Sequence, residues 1–184
     1  MARKKTTTKT EHAIKKIHTL GVYGTSEESF FRTLVDHQVD MFCDIRRRRG
    51  LRGSRYKYAN SAYLQAKLEE LGIKYIHLID WSPTDDIRAV QKAADKKNGV
   101  TQTTRTHVCN AFIDSYRDLF LKALDLDHFL AQVGPARVVT LLCVEQSASA
   151  CHRSVAAEEV RARLNVGGED ITRASSDRGE DSLE

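Results

Sequence analysis

The sequence lacks the marks of several protein classes. Its four cysteines, at 43, 109, 143 and 151, are few for 184 residues and form no C-x-x-C pair. Neither a disulfide framework nor a standard structural zinc module is therefore indicated. No run reaches the roughly 18 consecutive apolar residues that a membrane span needs. The leading MARKKTTTKTEHAIKK has no apolar centre of the signal-peptide kind. A cytoplasmic chain with reduced thiols and no membrane partner is expected. Gly21 and Gly24 do not complete G-x-G-x-x-G, so a dinucleotide is disfavoured and no cofactor is expected. The cysteine-phosphatase loop also fails, because the arginine it requires after Cys143 would fall on Ser149.

What the sequence does have is charge in blocks. Residues 1–16 carry six Lys/Arg against one Glu, and residues 46–57 carry seven Lys/Arg and no acid. Those segments sum to +12, leaving −8 for the rest of a chain whose formal charge is +4. Local basic clusters suit phosphate-bearing partners, although a solvated arm explains the first equally simply. At 184 residues and 41% hydrophobic content, one core is the default.

Hydrophobic periodicity supplies the architecture. IHTLGVY (17–23) reads as a strand; Thr25 to Glu28 then reads as a capping box ahead of Phe30, Phe31, Leu34 and Val35 at helical spacing. VDMFCDI (39–45) is a second strand, followed by an arginine-rich loop and a helix capped by Asn60, with Leu64, Leu68 and Leu71 in line before Gly72. IKYIHLI (73–79) is a third strand, and residues 81–105 read as a long polar loop. Helices are expected at 106–124, with Val108, Phe112, Tyr116, Leu119, Phe120 and Ala123 on one face, and at 127–133 before Gly134-Pro135. RVVTLLCV (137–144) is apolar enough to be a strand covered on both faces, and 154–164 is the last helix.

Strands alternating with helices predict a single three-layer α/β domain with a mostly parallel sheet and helices on both faces. The expected organisation is a basic flexible arm at 1–15, the domain at 16–172 and a disordered tail at 173–184. Ligands in such folds bind beyond the carboxyl ends of the strands, so the strand exits hold the candidate residues.

At the second exit, Asp44 and Arg46 lie two apart and share a strand face, as a ligand-orienting pair or a structural ion pair. Arg47, Arg48, Arg49, Arg52, Arg55 and Lys57 follow, interleaved with Tyr56, Tyr58 and Tyr63, a pattern that suits phosphates and stacked bases or a solvated charge run. His18 and His77 are candidate ligand-binding and proton-moving groups, or core histidines. Cys143 and Glu145 alternate on the fourth strand. Cys151, at the entrance of the last helix with His152 and Arg153, sits where the helix end and the guanidinium would lower a thiol pKa and attract an anion. A metal held by Cys143, Cys151 and His152 with Glu145 or His18 is chemically allowed but matches no standard spacing; adjacent Cys and His are awkward ligands for one tetrahedral centre, so no metal is expected.

These stretches together resemble the family called Domain of Unknown Function 488. The resemblance rests on His18-Thr19-Leu20-Gly21, Val39 to Arg46, Ser54-Arg55, Gly72 to Leu78, and Leu141-Leu142-Cys143-Val144-Glu145 leading to Cys151-His152-Arg153-Ser154, in that order, over residues 16–172. The chain departs from the pattern at Val22-Tyr23, where a polar residue is common, and at the arginines of 46–49, where a proline often sits. The resemblance implies an α/β domain with one polar site at the strand ends and names no reaction.

The leading expectation is binding of a phosphate-bearing molecule, preferably nucleotide or nucleic acid, through His18, Arg46, Arg55, His152 and Arg153. The alternative is a thiol-dependent hydrolase or transferase using Cys143 or Cys151, with Asp44, Glu145 and His77 in support. A noncatalytic module docking through its basic segments is the third possibility.

Overall fold

The computed structural model describes residues 12–173. Strands β1 (Lys16–Leu20), β2 (Met41–Asp44), β3 (Lys74–His77) and β4 (Val138–Leu142) form one all-parallel sheet in the order β1-β4-β2-β3. β4 is central, pairing Leu141 with Thr19 on one side and with Cys43 on the other. That position explains its nearly all-apolar sequence, broken only by Thr140. Val139 and Leu141 face one layer while Leu142 faces the other.

Helices α1 (Glu27–Asp36) and α2 (Ser61–Glu70) cover the face carrying Leu20, Phe42 and Leu142, contributing Phe30, Leu34, Leu64 and Leu68. Helices α4 (Asn110–Ala123), α5 (Leu126–Val133) and α6 (His152–Leu164) cover the face carrying Ile17, Cys43 and Val139, and α3 (Asp85–Lys97) packs on α4. The three-layer α/β architecture expected from the sequence is thus present.

Several local expectations need correction. Residues 81–105 are not a loop: α3 fills much of them, capped by Thr84, whose side chain accepts from Ile87 N–H. α1 is capped by Ser26 in reciprocal bonds with Ser29, one register later than the Thr25 box. Val35 and Leu71 are exposed, because Val35 lies to one side of the stripe centred on Phe30 and Leu34, and Leu71 is the C-cap, past the last residue of α2. Asn60 precedes α2 but spends its side chain on Leu51 N–H, bracing the arginine loop instead of the helix end. The domain also starts earlier than residue 16. Ile14 is buried and Lys15 N–H donates to Arg137 O; residues 1–11 of the predicted arm and 174–184 of the predicted tail lie outside the described residues.

Residues 167–171 run alongside β1, accepting Ile17 N–H at Gly167 O and Thr19 N–H at Glu169 O. The free side of an edge strand is thereby paired.

Candidate functional site

β4 delivers Cys143 to the carboxyl rim of the sheet, where its N–H donates to Leu20 O. The chain then crosses β1: Val144 O accepts N–H bonds from Val22 and Tyr23 at 3.1 and 2.8 Å. Gly21 makes this crossing possible, since a Cβ there would stand 2.1 Å from Glu145 O. A single turn at Ala148–Ala150 leads to Cys151, which is extended (φ −141°, ψ 147°) and serves as N-cap of α6; His152 is its first helical residue. This change of backbone conformation between neighbours lets both side chains turn toward Cys143.

The result is a buried thiol–imidazole cluster. His152 Nδ1 lies 3.7 Å from Cys143 Sγ and 3.8 Å from Cys151 Sγ. Nε2–H of the same ring donates to Ile45 O at 3.2 Å, which turns Nδ1 toward the sulfurs. Cys143 S–H donates to Glu145 Oε2 at 3.3 Å. Glu145 Oε1 accepts from Gln102 Nε2 at 2.9 Å and Arg105 Nη2 at 3.0 Å, and Arg105 Nη1 reaches Asp95 Oδ2 on α3 at 2.9 Å. Burial holds the Glu145 carboxyl above the usual carboxylate range, with Cys151 adding to the rise. Burial likewise pushes the Cys143 thiol well up. For Cys151 burial acts in the same sense, but the neighbouring Cys143, His152 and Arg153 outweigh it and bring the thiol well down.

Cys143, Glu145 and His152 form the floor of a cleft of about 700 Å³. One wall is the arginine loop, through Arg46, Arg47 and Arg48; the other is α3, through Arg88, Lys92 and Lys96. Those α3 cations recur every four residues, so they stand on one helical face. The cleft's acids, Asp95 and Glu145, are both paired with Arg105.

Several candidate residues take other places. Asp44 and Arg46 meet in a buried ion pair, with Nη2 to Oδ2 at 2.7 Å and Nε to Oδ1 at 2.9 Å; only Arg46 lines the cleft. His77 donates through Nε2 to Arg46 O at 2.9 Å, so it braces the loop and does not face the cleft. His18 sits within β1, against His37 and the backbone of Glu169, one strand edge away from the cleft. Arg153 is buried and bonded to Glu145 O, Gln146 O and Asp170 Oδ1, a fixture of the β4 exit. Arg55 is exposed, its guanidinium 5.2 Å from the Tyr56 ring centroid, outside the cleft lining.

A family model described as a domain of unknown function, DUF488, matches residues 26–160. This chain belongs to the DUF488 family. The matched span includes the arginine loop, α3 and the whole exit from Cys143 to His152. No match appears among the curated proteins or the solved structures.

Sequence reasoning misses Gln102, Arg105 and the α3 cations, since hydrophobic periodicity does not mark the segment holding them as helix. The signal was in the ends of α3: Thr84 with Asp85 and Asp86 at the start, Lys96 and Lys97 before Asn98-Gly99 at the finish.

Proposed function

We propose that this DUF488 domain binds a phosphate-bearing ligand, a nucleotide or a nucleic-acid strand by preference, in the cleft at the carboxyl rim of the sheet. One observation carries the reading. The side chains of Arg48, Arg88, Lys92 and Lys96 line the cleft and make no ion pair or hydrogen bond among the described residues, whereas both of the cleft's acids are engaged by Arg105. Low-dielectric walls bearing one sign of charge concentrate an oppositely charged ligand. The volume, about 700 Å³, suits a small molecule of nucleotide size. Among the described residues no helix is long and apolar enough to cross a membrane. All four cysteines are free, in keeping with a reducing, cytoplasmic setting.

The test is titration of ATP and of a short single-stranded oligonucleotide into the protein. Lys92→Glu combined with Lys96→Glu weakens binding at least about tenfold, a loss near 1.4 kcal/mol. Arg55→Ala leaves cleft binding unchanged. Equal affinity in the double variant refutes the reading.

The second reading, a thiol-dependent hydrolase or transferase, is favoured by the two sulfurs that flank His152 Nδ1. Against it, Cys151 is buried and does not line the cleft, and the cleft-lining Cys143 is the thiol that holds its proton. Rapid alkylation of Cys143 at neutral pH with loss of a measured activity would restore it.

A further inference from the structure

Among the described residues, the Sγ atoms of Cys143 and Cys151 and the ring nitrogen of His152 lie within 4.8 Å of one another, all three residues buried. We propose that these three atoms hold a zinc-class divalent cation at the floor of the cleft. Metal–sulfur bonds of about 2.3 Å and metal–nitrogen bonds of about 2.0–2.1 Å set tetrahedral donor atoms roughly 3.5–3.8 Å apart. The two sulfur–nitrogen separations here are 3.7 and 3.8 Å. The imidazole nitrogen is therefore close to tetrahedral spacing from both sulfurs, which lie within 4.8 Å of each other.

The surroundings fit the same assignment. A ligating imidazole donates its other N–H to a carbonyl or carboxylate, which fixes ring and tautomer; His152 does so to Ile45 O at 3.2 Å. Two thiolates and an imidazole are a soft to borderline donor set, suited to zinc and unsuited to calcium or magnesium. The objection to adjacent Cys and His ligands dissolves in the backbone, because Cys151 is extended and His152 helical. On binding, both thiols ligate as thiolates and their protons pass to solvent.

Cys143 and His152 line the cleft and Cys151 does not, so a metal on these atoms would have its open position on the cleft side. Glu145 Oε2 lies 3.3 Å from Cys143 Sγ and would lose its S–H partner on metallation, leaving it to accept from a water there. Three protein donors plus one open position is the arrangement of a catalytic centre, whereas a structural one is closed by four protein donors.

The experiment uses the full-length chain, reduced, stripped by a chelator and titrated with Co²⁺ and then Zn²⁺. One cobalt per chain is expected, with thiolate-to-metal charge-transfer absorption and the intense d–d bands of tetrahedral geometry, all bleached by zinc. Cys143→Ser and Cys151→Ser lose the charge-transfer band or bind at least about tenfold more weakly, while Cys109→Ser, which alters a thiol outside the cluster, matches the wild type. If the serine variants fail to fold, zinc X-ray absorption on the wild type decides: two sulfurs at about 2.3 Å support the site. A shell of oxygen and nitrogen alone overturns it, as does cobalt bound without a thiolate band. These readouts belong to the metal, so their failure leaves anion binding in the cleft standing, and failure of anion binding leaves them standing.

Discussion

Replacing Asp44 by alanine isolates the energetic role of the pair at the β2 exit. Its Oδ1 accepts from Arg46 N–H and Nε–H at 3.1 and 2.9 Å; its Oδ2 accepts from Arg46 Nη2 and the Tyr75 hydroxyl at 2.7 and 2.9 Å. The side chains are 0% and 2% exposed, so the alanine variant leaves a guanidinium with little water, held only by Ala59 O at 2.9 Å. Breaking a buried pair from one side costs about 3–5 kcal/mol. For a domain of this size each kcal/mol moves Tm by about 2–4 °C, giving a fall of roughly 6–20 °C by calorimetry. The Asp44→Leu, Arg46→Met double variant recovers more than half of the loss, because an apolar replacement removes the stranded charge. The recovery is incomplete because Tyr75 and Ala59 lose partners. A single variant that costs under about 1 kcal/mol, or a double variant melting no higher than the single, refutes the assignment of this pair to structure.

Other outcomes follow from the same geometry. Gly21→Ala forces the β4 exit away from β1 and costs about 1–3 kcal/mol in urea unfolding, since its Cβ would meet Glu145 O at 2.1 Å; Gly50→Ala, with open space around its Cβ, stays within about 0.5 kcal/mol. Tyr116→Phe strands the buried Trp81 carbonyl that the hydroxyl reaches at 2.6 Å, and costs about 1–3 kcal/mol in the same assay. His18 is held below its ordinary 6.5 by burial, with His37 and Lys16 acting in the same sense and Glu169 against it. A lowered folded pKa contributes stability that is complete above about 6.5 and is lost as pH falls toward the folded value. The wild type therefore loses more Tm than His18→Gln between about pH 7.5 and 5; parallel melting curves would contradict this.

The sheet was legible because its strands are either nearly all apolar, like Val138 to Leu142, or bounded by turn residues such as Gly72. Convergence at the strand exits was legible too, and Arg46, Cys143, Glu145 and His152 do meet at one cleft. α3 was not, because its two buried positions are polar, Gln91 and Asp95, and hydrophobic periodicity cannot register a helix whose inner face is made of hydrogen bonds. Gln91 donates to Asp95 Oδ1 and accepts Cys109 N–H, so this polar face is satisfied within the fold. His18, His77 and Arg153 do not line the cleft, for another reason. Position near a strand end does not fix side-chain direction, and each has at least one polar atom bonded to the backbone of a neighbouring segment.

The most direct measurement is a backbone-resolved NMR titration of the protein with ATP. Amide shifts are expected to concentrate at Arg47, Arg48, Arg88, Lys92 and Glu145, saturate together, and fade as salt is raised. Shifts confined to Arg55 and its neighbours, or spread evenly over the surface without saturation, would contradict it.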